Sequence, residues 1–430
     1  MLRRNKKPVR LFPVISTLLV GMLLAIVIGQ TAAFAAGNSY PANSLGLEVK
    51  SAILIDADTG QVLYQVNQDE ARPPASMTKM MTEYIVLEEI ASGRKKWDEI
   101  VTVTEEAAST PADGSQIYLA AGDKHTVKDL YIAMAVGSAN DATVALADSI
   151  GGTEQGFVKK MNETAQSLGL KSANFTSATG LSETTVISAA DLAKFASILL
   201  KKHPEFLDYS KLPSYKFRPR DKDPMINWNW MLASNKSVPS LKQFAYDGVD
   251  GMKTGYISAA GYCFTSTAQR GDMRLITVVM GAKTINKRFT ETTKLLDYGF
   301  NNFEQKTVIA PKTVVEKAEK VKIKKGVSKE VPIMTASDVT FFVKKGSTPN
   351  ITQTKLTLKT EDELVAPIAN GQEVGSVTYT YKDPETGKSI DKTVKLITSE
   401  EVKKGSWWRL LFRAIGGFFG SLFRGIVDLF

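Results

Sequence analysis

One cysteine and two histidines in 430 residues exclude more than any motif does. A single thiol, Cys263, cannot close an intramolecular disulfide, so the fold must be held by packing. It falls in the strand-like run 261–268 and reads as a core thiol. Two histidines, His125 and His203, leave little material for a Ser-His-Asp triad or a histidine-rich metal site. His125 lies among charged residues and His203 precedes a proline, so both read as exposed loop residues. No metal and no cofactor is expected. Positive charge is not concentrated either. Of the formal net charge of +9, five charges (Arg3, Arg4, Lys6, Lys7 and Arg10) precede residue 36 with no acid among them, which leaves a dispersed +4. That excess is too small to point to nucleic acid.

What is present falls into four stretches. The basic start, the apolar run 11–28 and the A-x-A of Ala33 and Ala35 form the pattern of a secretory signal peptide over 1–35. An uncleaved anchor helix is the alternative, because the run is long enough to span a bilayer. Residues 36–304 read as α+β, with hairpins over 49–64 and 261–280 and helical periodicity over 76–93, 126–137, 140–150, 156–168, 189–200 and 286–298. Strands at both ends, with helices between them, predict a sheet that joins the two ends. Lys-rich alternating runs at 355–359, 374–381 and 393–397 make residues 305–400 a small all-β domain, a spacer or interaction module. In the last stretch, 401–430, Trp408, Leu411, Phe412, Ile415, Phe419, Leu422, Phe423, Ile426 and Phe430 share one helical face. Arg409, Arg413, Gly420 and Arg424 fall on the other. Three arginines make crossing a bilayer costly, so residues 405–430 are expected to lie in a membrane interface; packing on the β domain is the alternative.

Chemistry concentrates at three short motifs. Ser76-Met77-Thr78-Lys79 puts a serine and a lysine three apart at the head of an apolar helix, where a desolvated lysine can take the hydroxyl proton. The same spacing recurs at Ser92 to Lys95 and Ser389 to Lys392, but neither opens such a helix. Ser138-Ala139-Asn140 sits between two helical runs, and Lys253-Thr254-Gly255 occurs once, before the strand near Gly261; S-x-N recurs at Ser172 to Asn174. Taken singly, Ser138 reads as a helix N-cap and Thr254-Gly255 as a turn.

S-x-x-K, S-x-N and K-T-G in that order resemble the penicillin-binding proteins and serine β-lactamases. With P-P-A-S-M-T-K-M-M-T at 73–82, G-S-A-N-D-A at 137–142, D-G-V-D-G-M-K-T-G at 247–255 and L-L-D-Y-G-F at 295–300, residues 45–300 resemble a low-molecular-mass serine D-alanyl-D-alanine carboxypeptidase. The β domain and tail are similar to that family's C-terminal parts. The resemblance implies a β-lactamase/transpeptidase-like fold and removal of the terminal D-alanine from peptidoglycan stem pentapeptides at the outer face of the membrane. It implies covalent inhibition by β-lactams as well. It makes Ser76 the acylated nucleophile, Lys79 its base and Ser138 a proton relay. Asn140 would hold the substrate backbone, and Lys253, Thr254 and Gly255 would form the carboxylate side, with Lys253 helping to keep Lys79 neutral. The amides of Ser76 and Tyr256 would form an oxyanion hole. Arg288 is a further candidate for the carboxylate, a surface ion pair being its alternative.

One stretch departs from the family pattern. Residues 179–191 read T-G-L-S-E-T-T-V-I-S-A-A-D, where Asn before Gly-Leu and Asp after it would be expected, which puts loop contacts in doubt. A class A β-lactamase is disfavoured because no E-x-x-L-N lies between Asn140 and Lys253. A catalytically silent wall-binding protein would have no need of all of Ser76, Lys79, Ser138 and Lys253.

Overall fold

A computed structural model describes residues 43–384, 387, 389–413 and 415. The expected signal peptide over 1–35 and the tail from 416 onward lie outside the described residues. Strand β1 (Ser51–Asp56) is six consecutive buried residues, the mark of a strand covered on both faces. The Asp56 carboxylate accepts the Thr59 amide at 2.7 Å and folds the chain back into β2 (Val62–Val66). The rest of this sheet comes from β3 (Val249–Ile257), β4 (Gly261–Arg270) and β5 (Met273–Ala282), antiparallel in the order β2-β1-β5-β4-β3. Ile53 faces Val278 in that register, so the two ends of the α+β region do share one sheet.

Alternation along these strands separates two cores. Ile53, Ile55, Ile276, Val278 and Met280 point to the helical side, while Ala52, Leu54, Leu275 and Val279 point to the opposite face. Helix α6 (Ile285–Asn302) covers that second face with Phe289, Leu295 and Leu296. The first face carries α1 (Lys79–Ala91), α2 (Val127–Gly137), α3 (Asn140–Gly151), α4 (Glu154–Ser167) and α5 (Ala189–Lys202). Thr126, Thr153 and Ser188 start α2, α4 and α5 by accepting the amides of Asp129, Gly156 and Asp191. Helix α1 is buried from Lys79 through Leu87, so it runs through the core and carries its polar groups with it.

Four local readings need correction. The first helix does not begin at Ser76: a 3-10 turn, Ala75–Thr78, precedes α1. K-T-G precedes the strand at Gly261 as expected, but Thr254-Gly255 is no turn: the motif lies within the edge strand β3. His203 is buried, its Nε2 2.5 Å from Glu88 and its Nδ1 3.1 Å from Glu205. His125 is half-buried on a short strand, its ring 4.7 Å from that of Phe217. Cys263 is fully buried, and burial pushes its thiol up to about 11.

Strand β6 (Phe303–Ile309) follows α6 directly and pairs with β9 (Val339–Lys344). Strands β7 (Lys320–Lys322), β8 (Glu330–Thr335), β10 (Ile351–Leu358), β11 (Glu373–Lys382) and β12 (Ser389–Thr398) form an antiparallel sheet in the order β7-β8-β12-β11-β10. This β region has its own core around Val331, Phe341, Val377 and Leu396. Phe342 faces the other way and joins the α6 core, its ring 6.4 Å from that of Phe303.

Candidate active site

Three elements meet at Ser76: the 3-10 turn that carries it, the junction between α2 and α3, and β3. The turn is forced. Ala75 adopts φ +51 without being glycine, a conformation that costs about 1–3 kcal/mol and persists only where the surroundings impose it. Gly180 (φ +81) presses on it from behind, and a Cβ there would lie 2.0 Å from the Ala75 carbonyl oxygen. From the front, a Cβ on Gly255 would lie 2.6 Å from the Pro74 carbonyl oxygen and 3.1 Å from the Ser76 amide. Glycine is therefore required at 255 for close approach, and that approach sets β3 against Ser76.

Lys79 sits one turn on, fully buried. Its Nζ is 3.1 Å from Ser76 Oγ, 2.6 Å from Asn140 Oδ1 and 2.9 Å from the Thr179 carbonyl oxygen. A neutral amine has two N–H bonds and one lone pair. Asn140 and Thr179 are acceptors and take the two N–H bonds, which leaves the lone pair for the Ser76 hydroxyl. Burial pushes the Lys79 pKa well below the ordinary lysine range, and the charge of Lys253 pushes it the same way; Glu83, Glu154 and Asp141 oppose them. Thr179 belongs to the stretch that departs from the family pattern. Because its contact is made by the main chain, the departure leaves this hydrogen bond intact.

Ser138 is not a helix N-cap. It closes α2 in the left-handed region (φ 57, ψ 29), and its buried Oγ has no hydrogen-bond partner among the described residues. Asn140 follows at the head of α3, its amide bound to the Ser115 carbonyl at 2.7 Å. Asp141 ties down the loop above by accepting the amides of Ile117 (3.1 Å) and Leu119 (3.0 Å).

On β3, Lys253 and Thr254 are both buried, and burial draws the Lys253 ammonium down to about 8. Arg288 is no surface residue: 3% exposed, it donates to the Gly255 carbonyl at 3.4 Å, leaves Nε unpaired and has no acidic partner among the described residues. Burial lowers its pKa to about 10. Tyr256 stacks on Tyr262 with ring centroids 4.4 Å apart. Ser76, Ser138, Asn140, Thr254, Gly255, Tyr256 and Arg288 line one open cavity of ≈ 470 Å³, together with Asp113, Leu181, Glu183 and Trp228. The remaining S-x-x-K and S-x-N motifs lie elsewhere: Ser92 caps the end of α1, Ser389 opens β12, and Ser172 binds Asp191.

Sequence reasoning passed over Glu83, fully buried four residues after Lys79. Its signal was available. Glu83 continues the Ser76, Lys79 spacing one turn further into a stretch rich in apolar residues.

A serine in hydrogen-bonding reach of a buried lysine, with a second buried lysine on the facing edge strand, fits a serine hydrolase that works without histidine. The chain belongs to the D-alanyl-D-alanine carboxypeptidases of the low-molecular-mass penicillin-binding group. Residues 38–284 match the D-alanyl-D-alanine carboxypeptidase family, and residues 303–404 match the C-terminal domain of penicillin-binding protein 5. It is 38% identical over 403 residues to D-alanyl-D-alanine carboxypeptidase DacF of Bacillus subtilis, covering 94% of this chain and 97% of that one. The structure is similar to penicillin-binding protein 5 of Haemophilus influenzae (31% identity, TM-score 0.66, 86% of this chain and 100% of that one). It also resembles penicillin-binding protein D2 of Listeria monocytogenes in its cefotaxime-bound form (34% identity, TM-score 0.52, 59% of this chain and 98% of that one).

The close passage of β3 past Ser76 generates a test. Gly255→Ala should leave the far-ultraviolet spectrum unchanged but displace β3, and displacements of this size cost about a hundredfold in rate. Acylation by a fluorescent penicillin measures it; a rate within twofold of the parent, about 0.4 kcal/mol, would mean the approach is not critical.

Proposed function

We propose that Ser76 carries the acyl group during removal of the terminal D-alanine from peptidoglycan stem peptides. The observation behind this is the Lys79 amine, buried, drawn down in pKa and 3.1 Å from Ser76 Oγ. Ser76 Oγ attacks the carbonyl of the penultimate D-alanine as Lys79 Nζ takes its proton. Negative charge on the carbonyl oxygen is met by the amides of Ser76 and Tyr256. The C–N bond then breaks, and the departing amine receives the proton through Ser138 Oγ, whose lack of a resting partner leaves it available. Water hydrolyses the ester by the reverse proton path. Lys253, Thr254 and Arg288 hold the terminal carboxylate. Asn140 holds the substrate main chain while it orients Lys79. The edge strand offers unpaired backbone groups to an extended peptide. A β-lactam, presenting a strained amide and a carboxylate in the same places, would acylate Ser76 in the same way.

Residues 1–35 would direct export, 36–304 catalyse, 305–400 form a β-rich spacer and 401–430 attach the enzyme peripherally to the outer face of the membrane. For the attachment, support comes from the exposed Trp407, Trp408, Leu411 and Phe412. Arg413 is already engaged, donating to the Gly326 and Val327 carbonyls at 2.7 Å each. It thus fastens the start of the helix to the β region instead of serving a lipid headgroup.

Ser76→Ala should abolish penicillin labelling. Lys79→Arg should do the same, because a guanidinium cannot give up its proton. The parent's acylation rate should rise with pH on the acid side, since a lowered lysine pKa makes the neutral amine available as pH rises through it. Labelling of the arginine variant at the parent rate would remove Lys79 from the mechanism.

Attachment is tested by flotation with anionic vesicles. Trp408→Asp with Phe412→Asp should release the protein from lipid while hydrolysis of a soluble peptide persists, and undiminished flotation of that double variant would exclude these residues from the membrane contact.

A further inference from the structure

The cavity at Ser76 carries charge of both signs, and the two signs do not neutralise each other. Asp113 and Glu183 line it together with Arg288. Both acids are exposed, and among the described residues neither makes an ion pair or a side-chain hydrogen bond. They arrive with the segments that hold Lys79. Asp113 precedes Gly114, which lies so near Asn140 that a Cβ there would be 2.6 Å from the Asn140 amide nitrogen. Glu183 comes shortly after the Thr179 carbonyl that binds Lys79, within the stretch that departs from the family pattern. The same cavity exposes three large side chains with apolar surface, Leu181, Trp228 and Tyr256. A buried polar atom points independently to a ligand here: Ser138 Oγ, on a residue 4% exposed, lines the cavity without a hydrogen-bond partner among the described residues.

We propose that Asp113 and Glu183 select substrates by charge, accepting a side-chain ammonium on the residue that precedes the two D-alanines, while Leu181, Trp228 and Tyr256 cover its aliphatic stem. This rests on the reading of Lys253, Thr254 and Arg288 as the carboxylate side. With the terminal carboxylate held there, acids elsewhere on the wall repel that end of the peptide and favour a cation further along it. Asn140 is assigned the substrate main chain, and Asp113 enters beside Asn140, so the charge is met on the amino side of the scissile bond. An ammonium is a compact charge with three donors, which two carboxylates can share. Its stem lies on apolar surface while its head stays in water, and a cavity that exposes apolar rings beside unpaired acids suits that division. A neutral side chain leaves both acids unpaired, and an anionic one is repelled. Acylation of the amine removes its charge, so the site favours peptides in which that amine is free.

The test compares two blocked peptides, each an L-lysine followed by two D-alanines, with the ε-amine free in one and acetylated in the other. D-alanine release gives kcat/KM for each. The parent should prefer the free amine about fivefold, the size expected of exposed ion pairs. The preference should appear in KM, because the contact is made before and during the reaction alike. Asp113→Asn combined with Glu183→Gln should bring the ratio close to one, and added salt should shrink the parent's ratio. A merely structural role would slow both peptides together and leave the ratio as it was. A parent ratio near one, a ratio that survives the double substitution, or one that salt does not touch overturns the proposal and leaves the mechanism standing. Release of D-alanine by Ser76→Ala, or none by the parent, overturns the mechanism and this proposal with it.

Discussion

A buried lysine amine bound to two acceptors and one serine hydroxyl, neutral in the mechanism proposed above, is the constraint on which the rest of the structure turns. An ammonium in that place would be doubly costly: it would be buried, and among the described residues it would have no acid within ion-pairing distance. The fold meets the constraint by surrounding Lys79 with two neutral acceptors and one donor. Asn140 must therefore sit at the head of α3, and the loop at Thr179 must present a carbonyl. Everything that fixes those two positions serves the lysine indirectly. Asp141 binds the loop above α3, Thr82 donates to the Ala178 carbonyl at 2.8 Å, and Glu154 accepts the Ala178 amide at 2.8 Å.

Ser76 is presented by strain and close packing more than by helix geometry. Ala75 is held at positive φ between Gly180 and Gly255, two residues that come from segments over a hundred positions away and close to two hundred positions away. Because both close approaches involve main chain, a side chain at either glycine would have to move backbone. The sheet supplies the rigidity that this arrangement needs. Strand β3 is bonded along β4 from Val249 to Ile257, and β4 is bonded in turn to β5, whose other edge takes β1.

Much of this was legible in the sequence. Helical periodicity located α2 to α5 closely, because apolar residues recur there at helical spacing, and alternation located the β4–β5 hairpin. The three motifs named Ser76, Lys79, Ser138, Asn140, Lys253 and Thr254 before any geometry was known. What was not legible follows from long-range contacts. The strand character of 249–257 was hidden because it contains two glycines, at 251 and 255, with a third just before it at 248, and these weaken a β pattern that tertiary pairing then imposes. Burial of His203 depends on Glu88 arriving from α1, over a hundred positions away, which no local pattern predicts. The surface-ion-pair alternative for Arg288 failed for a related reason: an arginine in an amphipathic helix resembles a surface residue until the ring faces of Tyr262 and Phe289, 5.6 and 4.7 Å from its guanidinium, are placed around it.

The charge state of Lys79 decides between this account and one in which the lysine only positions the serine. Nitrogen-15 NMR of the lysine side chains, with the Lys79 signal assigned by its loss in Lys79→Arg, reads that state directly. A neutral-amine shift for Lys79 near neutral pH, while the exposed lysines remain ammonium, is the result predicted here. An ammonium shift for Lys79 that persists until the exposed lysines titrate would contradict it.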